Sequence, residues 1–368
     1  MDFHVFTTFS IIILGLFFSV LKNENSLQIR KTYLLIVSVI LILESALRGM
    51  SVGDDTLTYF DSFQSVKYSS WVEVFRYFTF FTDNSYENRN QGYDLFQKIF
   101  QLFSDDFRVY LFFIAIVFFS SLYYFLLRNT FNLYELILAF LIYSALFYYF
   151  FSITGIKQTI TTSVALFSIR YIKERKLLHF VIPIILASFI HFSVLVFLPF
   201  YFFSGLKKIK LNFLIALLLF MIIFIFKQYV VTFLITDTVY EIYLSDLVGR
   251  GTLGFTSFLL LVVLLSYFVV DKMAKVYPNY ILYYNGVLMA LVLVPLTWVN
   301  SNAMRVVQYY SIFLIVFAPK IIEVVYRKNI LFKRIAYFIC IVILLSFILK
   351  TPSSYKFFWE ESSIYRDL

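Results

Sequence analysis

The stretch 109–127, with the sequence VYLFFIAIVFFSSLYYFLL, is uncharged over its whole length and lies between Arg108 and Arg128. About 20 apolar residues in a helix cross the roughly 30 Å hydrocarbon core of a bilayer. Similar runs precede and follow this one along most of the chain. The sequence therefore predicts an all-α polytopic membrane protein.

The composition excludes an ordinary soluble domain. Hydrophobic residues make up 61% of the 368 residues and charged residues only 14%, whereas soluble domains carry about 25% charged residues. Aromatic residues reach 22%, which is typical of lipid-facing helices with tyrosines at the membrane interfaces. The single cysteine, Cys340, lies in an apolar run, so neither an intrachain disulfide nor a cysteine-based metal site is expected.

The apolar runs predict about eleven spans in one transmembrane domain that covers residues 1–350, with a short tail at 351–368 that is expected to fray. The first span is expected to be retained, because the N-terminus lacks the basic segment and cleavage site of a signal peptide. The predicted spans are 3–21, 32–47, 109–127, 133–151, 153–172, 178–204, 211–235, 253–270, 280–299, 303–326 and 331–349.

The charges of the connectors predict which side of the membrane each one occupies. The net charge of +9 lies mostly in short connectors, where it indicates cytoplasmic loops rather than binding of nucleic acid. The longer connectors 48–108 and 236–252 are predicted to lie outside, and the aromatic character of 48–108 predicts interfacial helices, one of them at 75–81. The predicted cytoplasmic connectors are 22–31, Arg128, 173–176, 207–210, 271–275 and 327–334.

One hydrophobic run conflicts with this alternation. The basic connectors 173–176 and 207–210 are both predicted to be cytoplasmic, yet only about 27 apolar residues separate them, and two crossings need about 40. A re-entrant hairpin that turns at 188–191 resolves the conflict. Broken helices of this kind are tolerated at membrane depth only where they line a polar cavity or are buried in protein.

Cationic and polar residues lie at the predicted outer ends of two spans. Lys157 and Gln158 are in the first turn of span 153–172, while Arg305 and Tyr309 share one face of span 303–326. A helix N-terminus attracts anions, and two such ends with cations on the same side predict a site for a large anion, such as a diphosphate. The alternative for Lys157 is an interfacial side chain that only snorkels to water.

Further candidates lie in the predicted outer loops and at the hairpin tip. Arg48 ends the second span and is followed by Asp54 and Asp55, so Asp55 is either a general base or an ion-pair partner of Arg48. His191, at the tip of the predicted hairpin, is the other candidate base. Arg250, between two glycines, is a third cation for the anion or part of a flexible loop without function.

Several kinds of site are missing from the sequence. There is no phosphate-binding GxxxxGK[ST] loop, no GxSxG motif, and no DxD pair of carboxylates. With three histidines and one cysteine, a transition-metal site is not expected either. We therefore expect no cofactor and no metal.

Together these residues resemble the EpsG family, a branch of the Wzy-type polysaccharide polymerases. The resemblance departs at two positions, since the family usually has Arg where this chain has Lys157 and Glu where it has Gln91. The residues that carry it are Arg48-x4-Gly53-x-Asp55-Thr56-x2-Tyr59-x3-Phe63, Gly92-Tyr93-x-Leu95-Phe96, Gly155-Ile156-Lys157-Gln158, Ala187-Ser188-Phe189-Ile190-His191-Phe192-Ser193 and Arg305-x3-Tyr309-Tyr310 with Pro319.

The resemblance implies a GT-C-like helical bundle that polymerises glycan repeat units at the outer face of the bacterial cytoplasmic membrane. Its partners would be a polyprenyl-diphosphate-linked oligosaccharide, the lipid bilayer, a chain-length regulator and a flippase. On this reading Asp55, His191 and Arg305 are catalytic. Arg48, Asp54, Lys157, Gln158, Arg250 and Tyr309 would bind the diphosphate or the glycan.

Two other functions fit the sequence. A ligase or another GT-C glycosyltransferase would share the donor chemistry and differ in its acceptor. A transporter or flippase of lipid-linked glycans should show polar residues deep in several helices and internal repeats. Neither of those features is clear in the sequence.

Overall fold

The computed structural model describes residues 3–21, 25–76, 91–235, 252–326, 329–350 and 355–361. These residues form helices and connecting turns, and the only β pairing among them is an isolated bridge between Arg48 and Phe357. The prediction of an all-α polytopic membrane protein is confirmed. The assignment of 1–350 to a single domain stays a prediction.

The longer helices form the body of the molecule. Their starts follow local sequence rules. The Asp106 carboxylate accepts the N–H of Arg108 at the start of the helix Phe107–Asn129, and the Asn132 side chain accepts that of Glu135 at the start of the helix Leu133–Leu146. The body consists of α1 (Phe3–Ser19), α2 (Leu27–Ala46), α6 (Phe107–Asn129), α7 (Leu133–Leu146), α8 (Ile156–Lys173), α11 (Ile209–Ile235), α12 (Leu253–Val276), α13 (Tyr280–Leu293), α15 (Leu314–Val325) and α16 (Ile330–Lys350).

The predicted count of about eleven spans is not confirmed. Within the described ranges, five helices are long and apolar enough to cross a membrane, or six if 301–311 and 314–325, bent by 52°, form one span. The helix α8 shows why length and hydropathy fall short. It carries polar residues such as Thr159, Thr161 and Ser163, and all three are buried by neighbouring helices. A helix shielded from lipid need not be apolar.

The basic connectors meet at one end of the body, which we call the basic end. The Lys173 ammonium donates to the Asn129 side chain at 2.8 Å, and the Arg30 guanidinium donates to the Thr130 carbonyl. Lys210 pairs with Asp271 at 3.1 Å and so joins two further connectors. The grouping agrees with the predicted shared sidedness of these connectors.

A buried ion pair ties α15 to α7 near the basic end. The Lys320 ammonium bonds to the Glu135 carboxylate, and both side chains are fully buried. The ammonium also lies over the rings of Phe131 and Tyr277, each at 4.4 Å. Removing one partner of such a pair would leave an uncompensated buried charge, so the pair sets the register of the two helices.

The chain reverses direction where the hairpin is predicted. Helix α9 (Leu177–Ser188) ends directly before the turn 189–191. A 3₁₀ helix (Phe192–Phe197) and α10 (Phe200–Phe203) then return along α9. The ring of Phe180 in the first arm packs at 5.7 Å from that of Tyr201 in the second. The two ends of the segment therefore lie together, whereas its re-entry into a membrane stays a prediction.

The connector 48–108, which is predicted to lie outside, is folded in its described part. Helices α3 (Thr56–Tyr68), α4 (Trp71–Arg76) and α5 (Gln91–Phe100) follow one another, and the Gln101 amide in the turn after α5 donates to the Phe63 carbonyl at 2.7 Å. A Cβ on Gly92 would overlap the backbone of Phe189, so α5 lies directly on the hairpin tip. Most of the interfacial helix predicted at 75–81 lies outside the described residues.

Residues 355–361 do not fray, and for them that expectation is wrong. The Gly49 N–H donates to the Lys356 carbonyl, and the Phe358 N–H donates to that of Leu47. The Glu361 carboxylate accepts the N–H groups of Met50 at 2.9 Å and Ser51 at 2.7 Å. The segment therefore fixes the loop that leads to Asp54 and Asp55.

We expect Glu361→Ala to lower the free energy of unfolding by about 2 kcal/mol, because it removes a charged acceptor from two backbone donors. Chemical unfolding of the purified protein in detergent measures the change. Glu360→Ala is the matched control, since the Glu360 carboxylate accepts only the N–H of Phe357 within its own turn. Equal unfolding free energies for the two variants would contradict this role of Glu361.

Candidate functional site

An irregular turn positions the first residues of α8. Residues Tyr149–Thr154 form a π-helix that ends at Gly155, and α8 begins at Ile156. Short π-helices of this kind occur often at functional sites. Gly53 has φ of +93°, and a Cβ there would lie 2.8 Å from the Ile153 side chain. Only glycine fits this conformation and contact, so the Asp54-Asp55 turn lies against the start of α8.

Asp55 faces Arg305 across the site. Asp55 precedes α3 without capping it through its side chain. Its carboxylate instead lies 3.8 Å from the Arg305 guanidinium, and each of the two side chains is about one third exposed. At this distance the pair is loose, and the planar fork of Arg305 keeps donors for a further acceptor.

Gln158 holds the two helix N-termini together. Its side-chain amide donates to the Arg305 carbonyl at 2.5 Å and to the Gln308 side chain at 3.4 Å. Gln158 is almost fully buried. It therefore fixes α8 against α14 (Met304–Ser311), and brings the helix starts of Lys157 and Arg305 side by side.

Lys157 lies among aromatic rings and charged groups. Its ammonium is 4.7 Å from the centre of the Tyr93 ring and 5.6 Å from that of Tyr59. Asp55, Asp94 and Arg305 all interact with it electrostatically. The ring contacts hold the cation by its attraction to their π faces, and its position is not that of a lysine snorkelling to water.

Asp94 is a site residue that the sequence analysis missed. It occupies the unspecified position of the motif Gly92-Tyr93-x-Leu95-Phe96, on the helix that lies against the hairpin tip. Burial raises the pKa of the Asp94 carboxyl to about 6, and the nearby Lys157 ammonium partly offsets that rise. The only sequence signal was an acidic residue inside an otherwise apolar and aromatic motif.

The hairpin tip contributes His191 and Ser193. His191 interacts electrostatically with Arg305 and Lys157, and its Nε2 is buried without a hydrogen-bond partner in the part of the chain that is described. The Tyr309 hydroxyl lies 2.8 Å from that of Thr161 and 3.2 Å from that of Ser193. Tyr309 therefore links α14 to α8 and to the second hairpin arm.

Two predicted site residues, Arg48 and Asp54, are placed apart from this group. Arg48 is only 4% exposed, and its guanidinium donates to the carbonyls of Ser45 and Ser152. It therefore supports the π-helical turn through its bond to the Ser152 carbonyl. Asp54 lies at the edge of the site, where its carboxylate accepts the Tyr149 hydroxyl at 3.1 Å. Arg250 lies outside the described residues.

The site is therefore a half-open cluster of two cations and two carboxylates, with Tyr59 and Tyr93 beneath Lys157. The cations can hold a dianion, while a carboxylate can accept a proton from a hydroxyl nearby. Among the described residues no three His, Cys, Asp or Glu side chains are grouped as a metal site would need. Metal independence itself stays a prediction.

A comparison with protein families finds one match over nearly the whole chain. The family model described as "EpsG family" matches residues 31–362 of 368. The match covers Arg48, the helix starts of Lys157 and Arg305, the hairpin tip and the docked segment 355–361. The chain has no match among curated proteins and none among solved structures.

We expect Lys157→Met to raise the pKa of the Asp94 carboxyl above its value of about 6, because the variant removes the cation that favours the ionised form. Infrared difference spectra across a pH titration, assigned with Asp94→Asn, measure the pKa. Lys67→Met is the control, since Lys67 pairs with Asp105 in the same outer region. An unchanged or lower pKa in Lys157→Met would contradict the proximity of the two groups.

Proposed function

The chain belongs to the EpsG family, a family of polysaccharide repeat-unit polymerases, and from that premise we propose how it works. It joins glycan repeat units that are linked to polyprenyl diphosphate, at the outer face of the bacterial cytoplasmic membrane. The observation that carries this proposal is the convergence of Lys157, Arg305, Asp55 and Asp94 in one half-open cluster.

The proposed outward orientation rests on the positions of the cluster and of the basic connectors at opposite ends of α8. The cluster lies at the start of α8, whereas the basic connectors meet at its other end. Connectors rich in Lys and Arg stay in the cytoplasm. The cluster accordingly faces outside, where flipped lipid-linked repeat units are found.

The donor is the growing chain on its polyprenyl diphosphate. The diphosphate lies between Lys157 and Arg305, near the N-termini of α8 and α14, and displaces Asp55 from its 3.8 Å contact with Arg305. As the bond from the anomeric carbon to the diphosphate oxygen breaks, its electron pair passes to the diphosphate. The two cations stabilise the negative charge that develops there.

The acceptor is the lipid-linked repeat unit that arrives next. One of its sugar hydroxyls attacks the anomeric carbon, forms the new glycosidic bond and gives its proton to a carboxylate. Asp94 is the strongest of the candidate bases, because a pKa of about 6 lies close to the working pH. Asp55, once released by Arg305, and His191 remain the alternatives. A single displacement of this kind inverts the anomeric configuration.

The roles of the other residues follow from their contacts. Gln158 and Tyr309 are positioning residues that set the spacing of the two cations. Arg48 supports the π-helical turn on which Lys157 depends. Asp54 is assigned to the glycan, and so is Arg250 on its sequence context alone.

Arg305→Ala is expected to lower the rate of elongation by about 100- to 1,000-fold, as when a preorganised charge donor is removed from an active site. Lys157→Arg should keep most activity, because the charge remains. Proteoliposomes with purified protein and lipid-linked repeat units, followed by gel analysis of product length, measure elongation. Wild-type product lengths in Arg305→Ala would refute the mechanism.

The same assay separates the competing functions. Elongation of lipid-linked repeats by the purified chain excludes a transporter, and transfer to a different acceptor without elongation identifies a ligase. Arg48→Ala is compared with Arg305→Ala, because Arg48 has a structural role in the proposal and Arg305 a catalytic one. Loss of its two carbonyl contacts should reduce the yield of folded protein, whereas Arg305→Ala should leave that yield unchanged.

The rate of elongation should fall as the pH drops below about 6. The raised pKa means that the Asp94 carboxyl is ionised, and able to accept a proton, only above that value. Asp94→Asn should remove this acid limb together with most of the activity at pH 7. If the fall in rate at low pH persists in Asp94→Asn, the residue that accepts the proton is Asp55 or His191. The variants Asp55→Asn and His191→Gln then distinguish these two.

A further inference from the structure

A polar cavity lies at the basic end, far from the cluster just described. Its volume is about 160 Å³. It opens between the end of α8, the end of the hairpin and the start of α13. The side chains that matter here are those of Lys173, Arg175, Lys207, Ser204 and Asn279.

Arg175 is held in the cavity by an unusual backbone. Its φ of +56° makes it the one non-glycine residue with positive φ in the described ranges. Glycine or asparagine usually occupies this position after a helix, because a Cβ is disfavoured there. The Arg175 guanidinium donates to the Tyr201 carbonyl at 3.2 Å, and a Cβ on Gly205 would overlap it. The absence of a side chain at Gly205 therefore makes room for this cation.

Among the residues that the structure describes, the three cations of the cavity lack acidic partners. Lys173 donates to the neutral Asn129 side chain, and neither Arg175 nor Lys207 forms an ion pair within the described residues. The described carboxylates at this end are engaged elsewhere, in the pairs Glu174–Lys176, Asp271–Lys210, Glu135–Lys320 and Glu323–Lys333. Three like charges around one cavity repel one another unless an anion lies between them.

The cavity is distinct from the polymerisation site. Lys157 and Lys173 lie sixteen residues apart on α8, which is about 24 Å along the helix axis. The cavity is also at the end where the basic connectors meet. Basic pockets between helices at a cytoplasmic surface are suited to the headgroups of acidic lipids.

We propose that this cavity binds a phosphate-bearing anion, supplied by the headgroup of an anionic phospholipid or by free phosphate. The Arg175 guanidinium offers paired donors to phosphate oxygens, and Lys173 and Lys207 supply the remaining charge. Ser204 and Asn279 line the same cavity with polar groups. Binding would stabilise the contact between the end of α8 and the returning hairpin arm.

The test measures thermal unfolding of the purified full chain in detergent, with short-chain phosphatidylglycerol, short-chain phosphatidylcholine or inorganic phosphate added. All variants carry Arg305→Ala, so that anion binding at the polymerisation site does not contribute. We expect the unfolding midpoint to rise with phosphatidylglycerol or with phosphate, and not with phosphatidylcholine. A rise with the lipid alone identifies the headgroup as the ligand, and a rise with phosphate identifies a soluble anion.

Two variants address the cavity in different ways. Arg175→Asn removes the guanidinium and keeps a residue that adopts positive φ readily, so the fold should be retained. Gly205→Ala leaves the charge unchanged and displaces the guanidinium sterically. Each should weaken the apparent affinity for the anion by about five- to tenfold.

Lys208→Gln is the matched control, because Lys208 is an exposed cation of the same connector that does not line the cavity. It should leave the affinity within about twofold of that of the parent. Equal weakening by Lys208→Gln and Arg175→Asn would show a diffuse charge effect and overturn the proposal. So would a midpoint that none of the anions shifts.

Discussion

Hydrocarbon offers no hydrogen-bond partners, and this constraint organises the whole molecule. Many charged and polar side chains reach the two ends of the helix body or are paired within it. The buried Lys320–Glu135 pair is one case in which charges stay inside, with aromatic rings around the ammonium. Two groups of cations lie at the basic end and in the cluster at the start of α8. Each group is concentrated enough to bind an anion.

The helix α8 connects these two ends. It is too polar to face lipid, yet four of its hydroxyl side chains are buried and bonded to neighbouring backbone, those of Thr159, Thr161, Ser163 and Ser168. Its N-terminus is positioned by the π-helical turn and by Gln158, and its C-terminus by Asn129 and Arg175. A rigid polar helix at the centre keeps the reacting groups fixed without exposing them to acyl chains.

The parts of this arrangement that follow from local chemistry were predictable from the sequence. Charge at the ends of apolar runs identified Lys157, Arg305 and Asp55, and the spacing of basic connectors identified the hairpin.

The parts of the arrangement that depend on packing were not predictable from the sequence. Asp94 enters the site because Gly92 lets α5 lie on the hairpin tip. Arg48 turns inward because the carbonyls of Ser45 and Ser152 lie beneath it, and neither contact leaves a signal in the spacing of residues. The span count is not confirmed for a related reason, since a test of length and hydropathy does not recognise a helix that other helices enclose.

The hydrogen bonds from the Met50 and Ser51 N–H groups to the Glu361 carboxylate join residues more than 300 positions apart in the chain. During synthesis the loop emerges early, while its partner emerges only after the intervening helices have been made and inserted. Until then the loop that leads to Asp54 and Asp55 lacks its hydrogen bonds to residues 356–361. On the proposed function, catalytic competence is thereby tied to completed membrane insertion, so that a half-made chain has no finished site with which to capture lipid-linked sugars.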